Sequence, residues 1–228
     1  MGLILSIETA TKVCSVALHE DKELLGSQEL HVDRSHSEYL AVMIQDLFRY
    51  TGKETKDLSA VAVSKGPGSY TGLRIGVSTA KGLCFGLNIP LISVNSLLVM
   101  AFEVNKYNLQ GYDLCPMLDA RRMEVYCLIT DNQLNVKKET HSRILEDASF
   151  RNEITESPIL FFGNGMPKSR GILEGKENAF FIDNVHPKAS NIGFMAYEKF
   201  KNKDFENTVT FEPFYLKDFI ATKPRKLL

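Results

Sequence analysis

The residues able to do chemistry in this chain are few and scattered. A glycine-rich loop runs Lys65-Gly66-Pro67-Gly68-Ser69-Tyr70-Thr71-Gly72. Placed between a strand and a helix, its free amides and the helix dipole favour an anion. It lacks the Gly-Lys-Ser/Thr ending of a Walker loop and the spacing of a dinucleotide fingerprint, so a tight connection with no ligand stays open. The acids Glu8 and Asp119 each close an apolar run, where a carboxylate can handle metal or phosphate. The histidines are His19, His31, His36, His141 and His186, with no pair three or four apart. No two imidazoles then share a helical face, and no metal site is expected. His36 is read as serving its helix N-terminus or a helix contact. Cys14, Cys84, Cys115 and Cys127 form no CxxC pair. That argues against a disulfide framework or zinc knuckle and fits a reducing compartment.

The elements that must position these residues follow from periodicity. Residues 3–8, 12–19 and 23–30 read as three strands with short polar joints. A helix over 36–50 follows, because Ser35-His36-Ser37-Glu38 has capping-box form, and Gly52 suits its C-terminus. Ala60–Ser64 is a short buried strand entering the glycine loop, 71–86 a helix, Pro90–Val94 a strand and 95–105 a helix. That order is the one of an RNase-H-like sheet, three antiparallel strands extended by parallel ones. The second half reads as strands at 113–119, 123–130 and 159–162, with Gly163-Asn164-Gly165 as a turn and a helix over 190–201. The expected domains are 1–104 and a smaller 105–228, closely packed because no Pro/Ser-rich linker separates them.

Two helices have unusual faces. Tyr39–Ile44 is an unbroken apolar run, which covers the whole circumference of a helix and calls for cover from a second direction. That cover is either the second domain or another chain. The next helix carries Gly72, Gly76, Ala80 and Cys84 at every fourth position, a stripe that would let a second helix come close. Its opposite side, with Leu73, Val77 and Leu87, would then face the sheet.

Bulk composition narrows the classes. The 228 residues are 44% hydrophobic and 24% charged, ordinary for a globular protein that buries a full core. A formal net charge of −1 gives no overall pull toward nucleic acid or an anionic membrane. The start Met1–Ser6 is faintly like a myristoylation signal but reads better as a buried strand. No segment approaches the length of a membrane span, and a cytosolic protein is expected. The basic end Lys223-Pro224-Arg225-Lys226 reads as a solvated tail, with a flexible nucleic-acid contact as the alternative.

Several stretches taken together are distinctive. Leu5–Thr11, His36–Leu40, Gly66–Gly76, Leu118–Tyr126 and Pro213–Leu216 resemble the TsaB (YeaZ) family, in the family's order and over nearly the whole chain. The resemblance implies an α/β ASKHA fold of two RNase-H-like domains, each a mixed five-stranded sheet flanked by helices. It also implies an accessory part in making N6-threonylcarbamoyladenosine beside the anticodon of tRNAs reading codons that begin with A. In that family the catalyst is the paralogue TsaD, which TsaB binds and activates, and the ATPase TsaE docks on the pair. Contact with tRNA would be indirect, no cofactor is implied, and a homodimer is an option when the partner is absent.

The division of labour can be checked against the residues. The catalytic paralogue holds its metal with two histidines spaced i, i+4, in a segment resembling V-N-H-L-E-G-H. The matching run here is Val94-Asn95-Ser96-Leu97-Leu98-Val99-Met100, with a hydroxyl and a thioether at the ligand positions, poor replacements for imidazole. Glycines expected in nucleotide turns are missing from Glu8-Thr9-Ala10-Thr11 and Asp119-Ala120-Arg121-Arg122. Glu8, Thr9, Gly66, Gly68, Asp119, Gly163 and Gly165 are at most a vestigial nucleotide site. The partner face is expected to be His36, Tyr39, Leu40 and Met43 on the first helix with Tyr70, Arg74, Ile75 and Thr79 on the second, and Gly72, Gly76 and Ala80 as the helix-packing stripe. Two competing readings are a stand-alone ASKHA ATPase or phosphotransferase using Glu8 and Asp119, and a metallopeptidase, which needs a metal pair that spacing does not provide.

Overall fold

The computed structural model describes residues 2–32 and 35–217, with Ser35 followed in its backbone alone. The Ser35 half of the capping box and the basic tail at 223–226 therefore lie outside the described residues. Two five-stranded sheets form the frame. The first comprises β1 (Leu3–Glu8), β2 (Cys14–Glu20), β3 (Glu23–Leu30), β4 (Leu58–Gly66) and β5 (Leu91–Asn95), in the order β3-β2-β1-β4-β5. β1 pairs antiparallel with β2 and parallel with β4. The second repeats the plan with β6 (Asp113–Asp119), β7 (Glu124–Thr130), β8 (Val136–Ile144), β9 (Ile159–Phe162) and β10 (Ala179–Ile182), in the order β10-β9-β6-β7-β8. Two mixed RNase-H-like sheets are thus present.

The helices are α1 (Ser35–Thr51), α2 (Tyr70–Leu87), α3 (Ser96–Asn105), α4 (Arg151–Glu156), α5 (Met166–Leu173) and α6 (Ala189–Lys201). Their layering follows from strand alternation, because successive side chains point to opposite faces of a sheet. Leu3, Leu5 and Ile7 of β1 join Val16, Leu18, Val61 and Val63 in a core closed by α1 and α2. Ile4 turns the other way and meets Ala62, Ile92, Ile192 and Ala196, so α6 covers that second face. α3 packs chiefly on the second sheet, where Leu97, Met100 and Val104 meet Leu114, Leu118 and Phe162. The two halves of the chain therefore trade helices: α3 leaves the first sheet to lie on the second, and α6 returns to the first. These two helices form a central layer between the sheets. They touch through Phe102 and Phe194, whose ring centroids lie 6.2 Å apart, and through Asn191 Nδ2, which donates to Glu103 Oε2 at 3.0 Å.

Helix starts are set by local chemistry. Ser69 caps α2 by accepting from the Gly72 amide at 3.3 Å, and Asn95 caps α3 by accepting from the Leu97 amide at 2.9 Å. At the other end of α2, Asn88 takes a left-handed conformation at φ 53°. No described helix is long and apolar enough to cross a membrane.

Candidate functional site

The glycine loop leaves β4, turns over the end of β1 and starts α2, as its position in the sequence implies. The end of β1 is a dense polar knot. Glu8 is fully buried, and its Oε1 accepts from the Ala10 amide at 2.5 Å and from Ser64 Oγ at 2.9 Å. Burial lifts its carboxyl to about 7 against the opposing pull of these bonds. Glu8 Oε2, Thr9 Oγ1 and His36 Nε2 have no hydrogen-bond partner among the described residues. His36 lies over the same turn, beside the backbone of Val13 and Thr11, and burial holds its imidazole below the ordinary histidine value.

The glycines of the loop face this chain's own backbone. A Cβ on Gly68 would run into Ala10, and one on Gly66 would stand 2.8 Å from the Phe214 carbonyl oxygen. Gly66 also has φ +111°, a region that favours glycine. The small stripe of α2 differs from expectation. Gly72 and Gly76 receive the carbonyl and hydroxyl of Thr9, and Ala80 and Cys84 sink into the first core, so the stripe seats the helix on its sheet and not on a second helix.

The corresponding turn of the second sheet is exposed. Asp119 Oδ1 accepts from the Arg121 amide at 2.6 Å and pairs with Lys168 at 2.5 Å. Arg121 and Arg122 hold φ of 67° and 50°, doing with bulky side chains what glycine does easily. Gly163 and Gly165 bring the loop after β9 against the backbone of Met117 and Leu118, a packing role. Of the residues grouped as a vestigial nucleotide site, Glu8, Thr9, Gly66 and Gly68 come together at the tip of β1. Asp119, Gly163 and Gly165 gather at the tip of β6, where Asn164 Oδ1 accepts from the Asp119 amide at 2.9 Å.

The partner face needs correction on α1. Leu40 and Met43 are 2% and 3% exposed and belong to the core beneath α1 and α2, and His36 is 9% exposed. One side of an apolar run must fill the core, and here that side is Leu40, Met43 and Ile44. The side left open is Tyr39 and Val42, at 44% and 49% exposure. The second sheet does not cover it, because that sheet lies across the central layer on the other face. On α2, Arg74 is exposed, with its guanidinium 4.6 Å from the Tyr70 ring, while Ile75 and Thr79 are half-buried. The Tyr70 ring packs against that of Tyr215, with centroids 4.8 Å apart and planes tilted by 38°. Sequence reasoning missed Phe85, 84% exposed on the same stripe as Arg74 and Ser78. Its seven-residue spacing from Ser78 was the available signal.

Ser96 and Met100, at the positions compared with metal histidines, are both fully buried in the central layer. The histidines are not as isolated as their spacing suggests. His31 and His186 meet at Glu29, a group formed by tertiary structure and invisible to a search for helical pairs.

Residues 29–223 match the family model described as TsaD: tRNA N6-adenosine threonylcarbamoyltransferase. The tRNA threonylcarbamoyladenosine biosynthesis protein TsaB of Buchnera aphidicola is 29% identical over 92% of this chain and 97% of its own length. The protein of that name from Escherichia coli is 40% identical over 54% of this chain, a match spanning 52% of that relative. YeaZ from Pseudomonas aeruginosa superposes with a TM-score of 0.77 at 22% identity, covering 95% of this chain and all of the other. Sequence and fold agree that the chain belongs to the TsaB (YeaZ) family, on the TsaD-like ASKHA scaffold.

Proposed function

We propose that this protein is a non-catalytic subunit in the cytoplasmic formation of N6-threonylcarbamoyladenosine on tRNA, where it binds and activates a TsaD-type subunit and helps recruit a TsaE-type ATPase. The relatives' description as biosynthesis proteins for this nucleoside supports the pathway. The observation that carries the non-catalytic reading is the burial of Ser96 and Met100. A catalytic metal needs an open coordination position that substrate can reach, and these two side chains are sealed in a packed layer. The contact is assigned to the outer sides of α1 and α2, centred on Tyr39, Val42, Arg74 and Phe85. Exposed aromatic and aliphatic residues around an arginine are the composition that anchors protein interfaces.

Co-expression with a TsaD-type subunit tests this reading. Wild-type chain should co-purify in a defined ratio, and Tyr39→Glu combined with Phe85→Glu should abolish co-purification while the circular dichroism spectrum and melting midpoint stay unchanged. Undiminished co-purification of that folded variant would refute the face. Threonylcarbamoyl transfer to tRNA by the isolated chain would refute the non-catalytic role.

A further inference from the structure

Outside the β1 turn, one group of side chains has the composition of a metal site. β3 is an edge strand, and Glu29 and His31 are two residues apart on extended backbone, so they project from one face. His186 arrives from the segment just before α6, which packs across that face of the sheet. Both imidazoles converge on one oxygen: His31 Nε2 is 2.6 Å and His186 Nε2 2.9 Å from Glu29 Oε1. The two rings meet edge to face, with centroids 4.8 Å apart. The donor atoms of all three side chains lie within 4.8 Å of one another, the one such group of His, Cys, Asp and Glu among the described residues.

We propose that Glu29, His31 and His186 bind one divalent transition-metal ion, with zinc the best fit to the donor set. Two imidazole nitrogens and a carboxylate oxygen are a known three-ligand zinc set, reached with bonds of about 2.0–2.2 Å, and the nitrogen donors disfavour magnesium and calcium. Binding requires each Nε2 to be free of its proton, which sits on Nδ1 or passes to solvent, and water fills the remaining position from the solvent side. The neighbouring cation, Lys188, is drawn toward Glu103, with its ammonium 3.5 Å from Glu103 Oε1. All four cysteines are buried, which removes the thiolates that would compete for zinc. An ion here would fasten the outer strand of the first sheet to the segment leading into α6, two parts of the chain far apart in sequence.

The test is a zinc titration of the metal-free full chain against a chromogenic chelator, repeated with cobalt(II) for its visible absorption. One zinc per chain is expected, with a cobalt spectrum of nitrogen and oxygen ligation. His186→Ala and Glu29→Gln should each weaken zinc binding by at least about tenfold and abolish the cobalt band. Zinc should raise the melting midpoint of the wild type and leave that of each variant unmoved, with circular dichroism checking that the variants fold. Failure of the wild type to bind stoichiometrically overturns the proposal. So does binding retained by both folded variants, which would move the ion elsewhere.

Discussion

Glu8 makes the stability of this protein depend on pH in a direction unusual for a carboxylate. The side chain is fully buried, and its carboxyl is raised from 4.5 to about 7, chiefly by burial. A group whose folded value lies above its unfolded value holds its proton longer in the folded state. Its contribution is fully present below pH 4.5 and is lost as pH rises through 7. At about 1.4 kcal/mol per pH unit, the interval corresponds to about 3 kcal/mol of stability removed by pH 8.5. Glu8→Gln keeps an oxygen to accept from Ala10 and Ser64 but cannot ionise. Its new amide leaves donors without partners, an offset of about 1–3 kcal/mol that does not vary with pH. Urea unfolding of both proteins from pH 5 to pH 9 separates the two effects. His19 titrates in both proteins, with its value pushed down to about 4 mainly by burial, so its opposite trend cancels in the difference. The variant should gain on the wild type by about 2–3 kcal/mol between pH 5 and pH 8.5. Parallel stability curves would show that Glu8 titrates near its ordinary value and that the knot at the end of β1 is not as sealed as its geometry indicates.

Two further outcomes follow from packing. Leu40→Ala should lower stability by about 2–5 kcal/mol in urea unfolding, as a deletion inside a core does, and Tyr39→Ala should stay within about 0.5 kcal/mol, as at an open surface position; equal effects would undo the division of α1 into two sides. Gly193→Ala places its methyl against the His19 ring, so it should destabilise by about 1–3 kcal/mol, with His19→Ala in the same chain recovering part of the loss.

The central strands were legible because burial on both faces demands unbroken apolar runs. β1, β6 and β9 begin and end where the sequence places them; so does the edge strand β3, which is marked by its short polar joint to β2 and not by burial, and α2 extends the expected 71–86 by one residue at each end. β8, α4, α5 and β10 escaped notice for the complementary reason. β8 reads Val-Lys-Lys-Glu-Thr-His-Ser-Arg-Ile, and an edge strand with exposed sides needs no apolar alternation. α4 is six residues long, too short for periodicity to show, and β10 is a four-residue edge strand with no buried residue, unlike the equally short β9. The candidate face was only half legible. An apolar run such as Tyr39–Ile44 announces that a helix is covered, but its phase against the sheet, which decides between Leu40 and Tyr39, is set by tertiary packing. The meeting of His31 and His186 leaves even less trace, since it depends on where α6 returns.

The glycine loop and the Pro213–Leu216 motif, far apart in the sequence, explain each other in space. After α6 the chain runs along the open edge of β5, where the Glu206 amide donates to the Leu91 carbonyl at 2.9 Å. It then passes α2, where Lys81 Nζ donates to the carbonyls of Val209 and Phe211 at 3.1 and 3.0 Å. At Pro213–Leu216 it reaches the glycine loop: the Phe214 amide donates to the Lys65 carbonyl at 2.7 Å, and the Tyr215 ring packs against that of Tyr70. Beyond it, Lys217 pairs with Glu124 on β7, so the strap also joins the two sheets. Gly66 is required because the Phe214 carbonyl passes where a side chain would stand, and Gly68 because Ala10 does the same from the other side. Glycines that let a backbone approach a phosphate here let one backbone approach another. That closure fixes the start of α2 from both sides, and with it the orientation of the surface carrying Arg74 and Phe85. A loop built this way is held by this chain's own backbone on both sides.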